Sequence, residues 1–243
     1  MLILIKLMKM KLSIIFTVLL AVTSIHLNAE EEKKAIQKKS ISLFDGKTLK
    51  GWEACNYAGI GEIKVIPNDS SVLINRGEIL SGIRLKEFDK RKLPSVNYEI
   101  SMEGRRVEGD DFFCCITFPY KKTNATFVLG GWGGSVCGIS SIDFMDAMEN
   151  STMSVMDFDK AKWYKVRLIV SENRFQGFAD KKRIVNVGIK GRKIGMRFGE
   201  IEESLPLGIS TFQTTGEFKN IRMRPLNKKE IAAAKKLDEE DEF

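Results

Sequence analysis

From residue 40 to residue 226 the chain is a series of short apolar runs, broken by a turn signal roughly every 8–12 residues. No stretch between the breaks carries the i, i+3, i+4 periodicity of an amphipathic helix. The clearest run covers residues 97–107, where Tyr98, Ile100, Met102 and Gly104 alternate with Glu99, Ser101, Glu103 and Arg105. A period of two means a strand with one apolar face and one charged face. Tyr164, Val166, Leu168 and Val170 alternate in the same way with Trp163, Lys165 and Arg167. Residues 111–118 are apolar on both faces, as a central strand is, and Pro119-Tyr120-Lys121-Lys122 should end that strand. Asp45-Gly46, residues 67–70 and residues 180–182 supply turns. About a dozen strands with such punctuation predict an all-β antiparallel sandwich. The span is long enough for one sizeable core, and it shows neither an internal repeat nor a second domain.

Residues 127–150 hold the densest polar and aromatic cluster. Gly130, Gly131, Gly133 and Gly134 flank Trp132 in a turn between two strand candidates. Glycine admits positive φ and lets a backbone or ligand approach closely. Asp143, Asp146 and Glu149 follow the second strand. A hairpin with a core Trp and a solvated acidic loop explains the pattern; so does a sugar-binding groove with carboxylate chemistry.

The two ends of the chain differ from the middle. Lys6, Lys9 and Lys11 precede an apolar run over 12–22, and Ala29 stands before Glu30. That order predicts a secretory signal peptide over 1–29, and the apolar run is shorter than the ~20 residues of a comfortable membrane span. Export to the periplasm or the exterior follows. Residues 30–39 read as a charged linker. Residues 227–243 read as a helix capped by Asn227 that runs into Asp238-Glu-Glu-Asp-Glu. Acidic groups oppose the negative end of a helix dipole, so this end should fray.

Without the three N-terminal lysines the net charge falls from +7 to +4 and forms no arginine-rich stripe, so no nucleic-acid partner is expected. His26, the one histidine, lies inside the predicted signal peptide. Acid–base chemistry in the mature chain must therefore use other groups, and no histidine metal site is available. Cys55, Cys114, Cys115 and Cys137 fit no zinc spacing. Cys114 and Cys115 point to opposite faces of a strand, so at most one can meet Cys137. One disulfide and four buried thiols both remain open. No Asp-x-Asp-x-Asp-Gly calcium loop is present. Neither a metal nor a cofactor is expected.

The segment Leu43-Phe-Asp-Gly-Lys-Thr-Leu-Lys-Gly-Trp52 resembles the opening of the 3-keto-disaccharide hydrolase domain family. Tyr98-Glu-Ile-Ser-Met-Glu103 resembles its strand ending in glutamate. Leu205-Pro-Leu-Gly-Ile and Phe218-Lys-Asn-Ile-Arg-Met-Arg-Pro-Leu226 resemble its closing strands. The resemblance covers residues 40–226. It implies an exported, concanavalin A-like jelly roll of two curved antiparallel sheets, here followed by a short C-terminal helix. The chain departs from the family where Gly109-Asp110-Asp111-Phe112 replaces Asn-Ser-Gly. In Cys137-Gly-Ile-Ser-Ser-Ile-Asp143 only the final Asp matches Tyr-Glu-x-Gln-Ile-x-Asp. Thr214 follows Gln213 where the family has histidine.

Two functions follow. In a 3-keto-glycoside the ketone acidifies the C2 hydrogen, so a carboxylate can remove it while the glycosidic oxygen leaves. The resemblance makes Glu103 the base. Asp143 is then the acid, and Arg105 or Arg167 steadies the enolate. The second function is a non-catalytic carbohydrate-binding module, in which Trp132 or Trp163 stacks on a sugar and Asn150, Arg167 and Gln213 bond its hydroxyls. A carbohydrate is the partner in both, and an envelope scaffold without a ligand is a third possibility. Convergence of Glu103 and Asp143 beside an exposed Trp separates the first two.

Overall fold

The computed structural model describes residues 40–240; the predicted signal peptide and linker lie outside the described residues. Fifteen strands form two antiparallel sheets among the described residues. Sheet I holds β1 (Ile41–Ser42), β3 (Ile63–Ile66), β4 (Ser71–Ile74), β6 (Tyr98–Glu108), β11 (Tyr164–Val170), β12 (Arg174–Ala179), β13 (Lys182–Gly188) and β15 (Thr215–Pro225). Its order is β13-β12-β11-β6-β15-β4-β3, with β1 on β15. Sheet II holds β2 (Trp52–Ala54), β5 (Leu80–Leu85), β7 (Cys114–Tyr120), β8 (Thr123–Gly131), β9 (Val136–Ser140), β10 (Ser154–Val155) and β14 (Gly208–Phe212). Its order is β10-β9-β8-β7-β14-β5-β2. This is the jelly-roll sandwich expected from the alternation and the turns.

The alternation does the packing. Tyr98, Ile100 and Met102 of β6 point into the core, as do Tyr164, Val166, Leu168 and Val170 of β11. The two strands pair with Ile100 opposite Leu168, so their apolar faces coincide. Sheet II answers with Phe118 of β7, whose ring meets Phe175 of β12 edge-on at 5.2 Å. Phe127 of β8 lies so close to Gly177 of β12 that a Cβ there would sit 2.5 Å from its ring. A side chain at 177 would therefore separate the sheets. Trp52 is 4% exposed, and its indole N–H donates to Leu43 O at 2.8 Å. The Asp45-Gly46 turn upstream is closed by Asp45, which accepts from the Lys47 and Thr48 amides and the Thr48 hydroxyl. These bonds, the Thr48 hydroxyl foremost, hold its carboxyl down at about 2.

Strand β7 ends at Tyr120, inside the stretch 119–122 expected to end it, and Pro119 is still paired with Asn124. Strand β14 pairs with β7 no further than Thr117, so no neighbour on that side asks Pro119 for an N–H. The C-terminal helix is held at least as far as Asp238; the last residues of the acidic tail, 241–243, lie outside the described residues. Helix α1 spans Lys228–Glu240 and opens with a reciprocal cap: Glu230 N donates to Asn227 Oδ1, and Asn227 N to Glu230 Oε2. Asp238 pairs at 2.8 Å with Arg174, which is 1% exposed. A buried guanidinium outweighs the unfavourable dipole.

All four cysteines are buried and free. Cys114 lies in the inter-sheet core and Cys115 in a separate apolar cluster on the outer side of sheet II.

Candidate functional site

That outer cluster is the floor of a cleft of about 490 Å³. Alternation builds it. In β7, β8 and β9 the residues Cys114, Ile116, Phe127, Leu129 and Ile139 turn inward. Cys115, Thr126, Val128 and Ser140 between them turn outward into the cleft. Phe112 and Phe212 extend the floor with centroids 5.6 Å apart, and the short 3-10 turn Glu200–Ser204 covers one side. Trp132, 37% exposed, and Phe198, 92% exposed, stand at the rim. Burial pushes the Cys115 thiol up to about 12, so it stays protonated and is no nucleophile at neutral pH.

Register sets the length. Ser140 lies opposite Thr126 near one end, and Gly131 opposite Val136 near the other. Six residues of strand separate Thr126 from Trp132, on the order of 15–20 Å allowing for the bulge after Val128.

At the Trp132 end the chain turns through positive φ at Gly130 (72°), Trp132 (48°), Gly133 (85°) and Gly134 (113°). At Gly134 a Cβ would meet Asp110 O at 2.8 Å, so both the backbone angle and the space demand glycine. Arg106 of β6 holds this turn from beneath. It is 5% exposed, and its Nη2 donates to Gly134 O (2.8 Å), Gly130 O (3.1 Å) and Asp111 O (3.1 Å), with Nη1 reaching Phe158 O (3.4 Å). Its partners are carbonyls, its Nε has none, and burial lowers its pKa. The Asp111 carboxylate lines the cleft above it. Oδ1 accepts from Phe112 N at 2.7 Å and Oδ2 from Gly133 N at 3.0 Å. One buried cation thus positions both the aromatic and the carboxylate of this end.

At the other end Ser140 Oγ donates to Asp146 at 2.9 Å, and Arg197 Nη1 meets the same carboxylate at 3.2 Å. Thr126 donates its hydroxyl to Ser140 O. The loop carrying Asp146 is tied down by Asn150, whose amide donates to Ile139 O and Met145 O while its oxygen accepts from Thr152. Asn150 therefore has no bond left for a sugar hydroxyl, contrary to its expected role.

The remaining expected residues scatter over both sheets. Trp132 lines the cleft, and Gln213 follows Phe212 at its edge with its amide on Glu78 O. Asp143 lies in the loop after β9, held by Lys193 N and Arg192. The Lys193 amide first, then the Arg192 guanidinium, lowers its pKa, which favours the ionised form over a proton donor.

Glu103, Arg105, Trp163 and Arg167 sit on the outer face of sheet I instead. Glu103 accepts from Asn220 at 2.8 Å between its register partners Lys165 and Lys219. Arg105 is engaged by buried Glu217 at 2.6 Å, and Arg167 by Glu99 at 3.1 Å. Arg105 and Lys219 sit 4.6 and 4.1 Å from the Trp163 ring centre. Glu103 and Asp143 thus belong to different sheets and share no cleft.

Sequence reasoning missed Asp111, Arg106, Phe112, Phe212 and Arg197. Only Arg106 left a local signal, a cation at the inward parity of β6 set by Met102 and Gly104. The rest meet through pairings distant in sequence.

Three solved structures show what the chain is similar to. The Crh5 transglycosylase in complex with NAG has a TM-score of 0.50 at 9% identity, over 78% of this chain and 85% of that one. A carbohydrate-binding module, CBM66 from Bacillus subtilis, has a TM-score of 0.48 at 13% identity over 72% and 95%. A Parabacteroides distasonis protein described as a candidate glycosyl hydrolase has a TM-score of 0.49 at 13% identity over 81% and 97%. No curated protein matches the chain in sequence. The sequence pattern of the 3-keto-alpha-glucoside-1,2-lyase-like domain matches residues 39–224, most of the chain and all of both sheets but the last residue of β15, and the chain belongs to that family.

Proposed function

We propose that the chain is an exported carbohydrate-active protein that takes a glycoside into the sheet II cleft and, where the sugar carries a 3-keto group, eliminates its aglycone. One observation carries this reading: the rim indole of Trp132 and the Asp111 carboxylate stand together at one end of the cleft. An indole face packs on the C–H surface of a pyranose. Family membership supports the choice of a 3-keto substrate.

The chemistry follows from the groups at that end. The C2 proton moves to the Asp111 carboxylate, and the C2–H electron pair forms an enolate with its charge on the C3 oxygen. The enolate collapses to a C1=C2 double bond as the C1–O bond breaks, and the departing oxygen takes a proton from water. The positive charge of Arg106 lies beneath this end and has carbonyls rather than a carboxylate as hydrogen-bond partners, so its field favours the anionic state. Glu103 and Asp143 take no part in this scheme, because they lie outside the cleft.

The test is turnover of methyl 3-keto-glucoside, followed by release of methanol, together with equilibrium binding. Asp111→Asn should cut turnover about 10²-fold or more with affinity kept, in line with loss of a general base. Unchanged turnover in Asp111→Asn rejects the base; binding without turnover in either protein makes the chain a carbohydrate-binding module. Export is checked by N-terminal sequencing of the protein from its host, which should begin near Glu30; a start at Met1 removes it.

A further inference from the structure

We infer that the cleft selects glycosides with an apolar, aryl-type aglycone over oligosaccharides, an inference that rests on the cleft being the glycoside site. The cleft carries polar groups at its two ends and Glu200 on the 3-10 turn at its side, around an apolar floor. Asp111 marks one end, and Ser140 with Arg197 the other. The stretch between is floored by Cys115, Val128, Phe112 and Phe212, with Leu80 and Ile201 beside them. Thr126 is the outward hydroxyl next to that stretch, and it already donates to Ser140 O.

A sugar placed with its reacting carbon at Asp111 directs its aglycone along β8 over this floor. A second glucosyl unit there would press about three hydroxyls against the hydrocarbon floor, each stripped of water with no partner in that floor. An aryl ring in the same place loses no hydrogen bond and buries its whole face. The Phe112 and Phe212 rings, tilted by 47°, offer it both an edge and a face. At about 490 Å³ the cleft holds a sugar and a second ring together. Phe198, exposed at the mouth, stands where it can cover that ring.

The experiment compares the phenyl, methyl and glucosyl 3-keto-glucosides for binding by calorimetry to the full chain carrying Asp111→Asn, which keeps affinity without consuming the ligand. The phenyl compound should bind about 100-fold more tightly than the glucosyl one, as expected when one ring replaces several unpaired hydroxyls. Val128→Thr keeps the side-chain shape and replaces a methyl in the middle of the floor by a hydroxyl; it should weaken phenyl binding about tenfold more than methyl binding. Glucosyl binding equal to or tighter than phenyl binding, or a phenyl affinity indifferent to Val128→Thr in a folded variant, overturns the aglycone preference and leaves the glycoside reading intact. Binding of none of the three overturns both. Should Val128→Thr fail to fold, the comparison among the three compounds decides alone.

Discussion

Arg106→Met tests the link between the core and the cleft most directly. The substitution keeps an apolar stem of similar length and removes the guanidinium. Gly130 O and Gly134 O are buried and lose their donor, and Asp111 O, part-buried, loses one as well. Each buried carbonyl left without a partner costs about 1–3 kcal/mol, so the three together cost roughly 3–9 kcal/mol. Against this stands the relief of removing a desolvated charge that has no carboxylate partner, worth about 1–3 kcal/mol. The net expectation, from the middle of both ranges, is a loss of about 4 kcal/mol, read by urea unfolding with an unchanged m-value. Stability alone does not establish the positioning role, so a second readout is needed. Amide hydrogen exchange at Gly133 should accelerate, because its hydrogen bond to Asp111 depends on the turn that Arg106 holds. Binding of methyl 3-keto-glucoside should weaken in parallel. Wild-type stability in Arg106→Met, or a destabilised variant whose Gly133 exchange and glycoside binding do not move, would refute the reasoning.

Other outcomes follow from single contacts. Trp52→Ala should cost about 3–5 kcal/mol in denaturant unfolding, since the ring is buried and its N–H bonds Leu43 O; an unchanged midpoint would remove Trp52 from the core's support. Glu103→Gln should leave turnover on methyl 3-keto-glucoside within about twofold, because Glu103 faces Asn220, Lys165 and Lys219 on the other sheet; a hundredfold loss would return it to the base's role. Glu230 pairs with Arg224, whose hydrogen bond holds its carboxyl below the ordinary 4.5. A depressed carboxyl stabilises the fold above its unfolded pKa, and that contribution is lost as pH falls through the folded value. Glu230→Gln should therefore be less stable than the parent at neutral pH, and the gap should close as the pH drops below about 4.5. A gap that stays constant into acid would show that the ion pair contributes nothing through titration.

The strands were legible in the sequence because their information is local. Which of Tyr98, Glu99 and Ile100 faces the core follows from a period of two, and so does the inward placement of Tyr164 and Val166. The capped helix after Asn227 was equally local, since its first turn is closed by a side chain three residues away. The cleft was not legible. Asp111, Arg106 and the Gly130–Gly134 turn meet only because Arg106 crosses from sheet I to a turn of sheet II. Phe112 meets Phe212 because β14, from the far end of the chain, pairs beside β7.

Sheet membership is what period-two counting leaves open. Glu103 and Asp143 were grouped from the sequence as outward carboxylates, yet β6 pairs with β11 and β15 in one sheet while β9 pairs with β8 in the other. Alternation states that a side chain leaves the core, not from which side of the sandwich it leaves. That choice lies in hydrogen bonding between strands up to a hundred residues or more apart, as with Glu103 opposite Lys219. Local residues set the faces of each strand; long-range pairing alone decided which outward groups share a cleft.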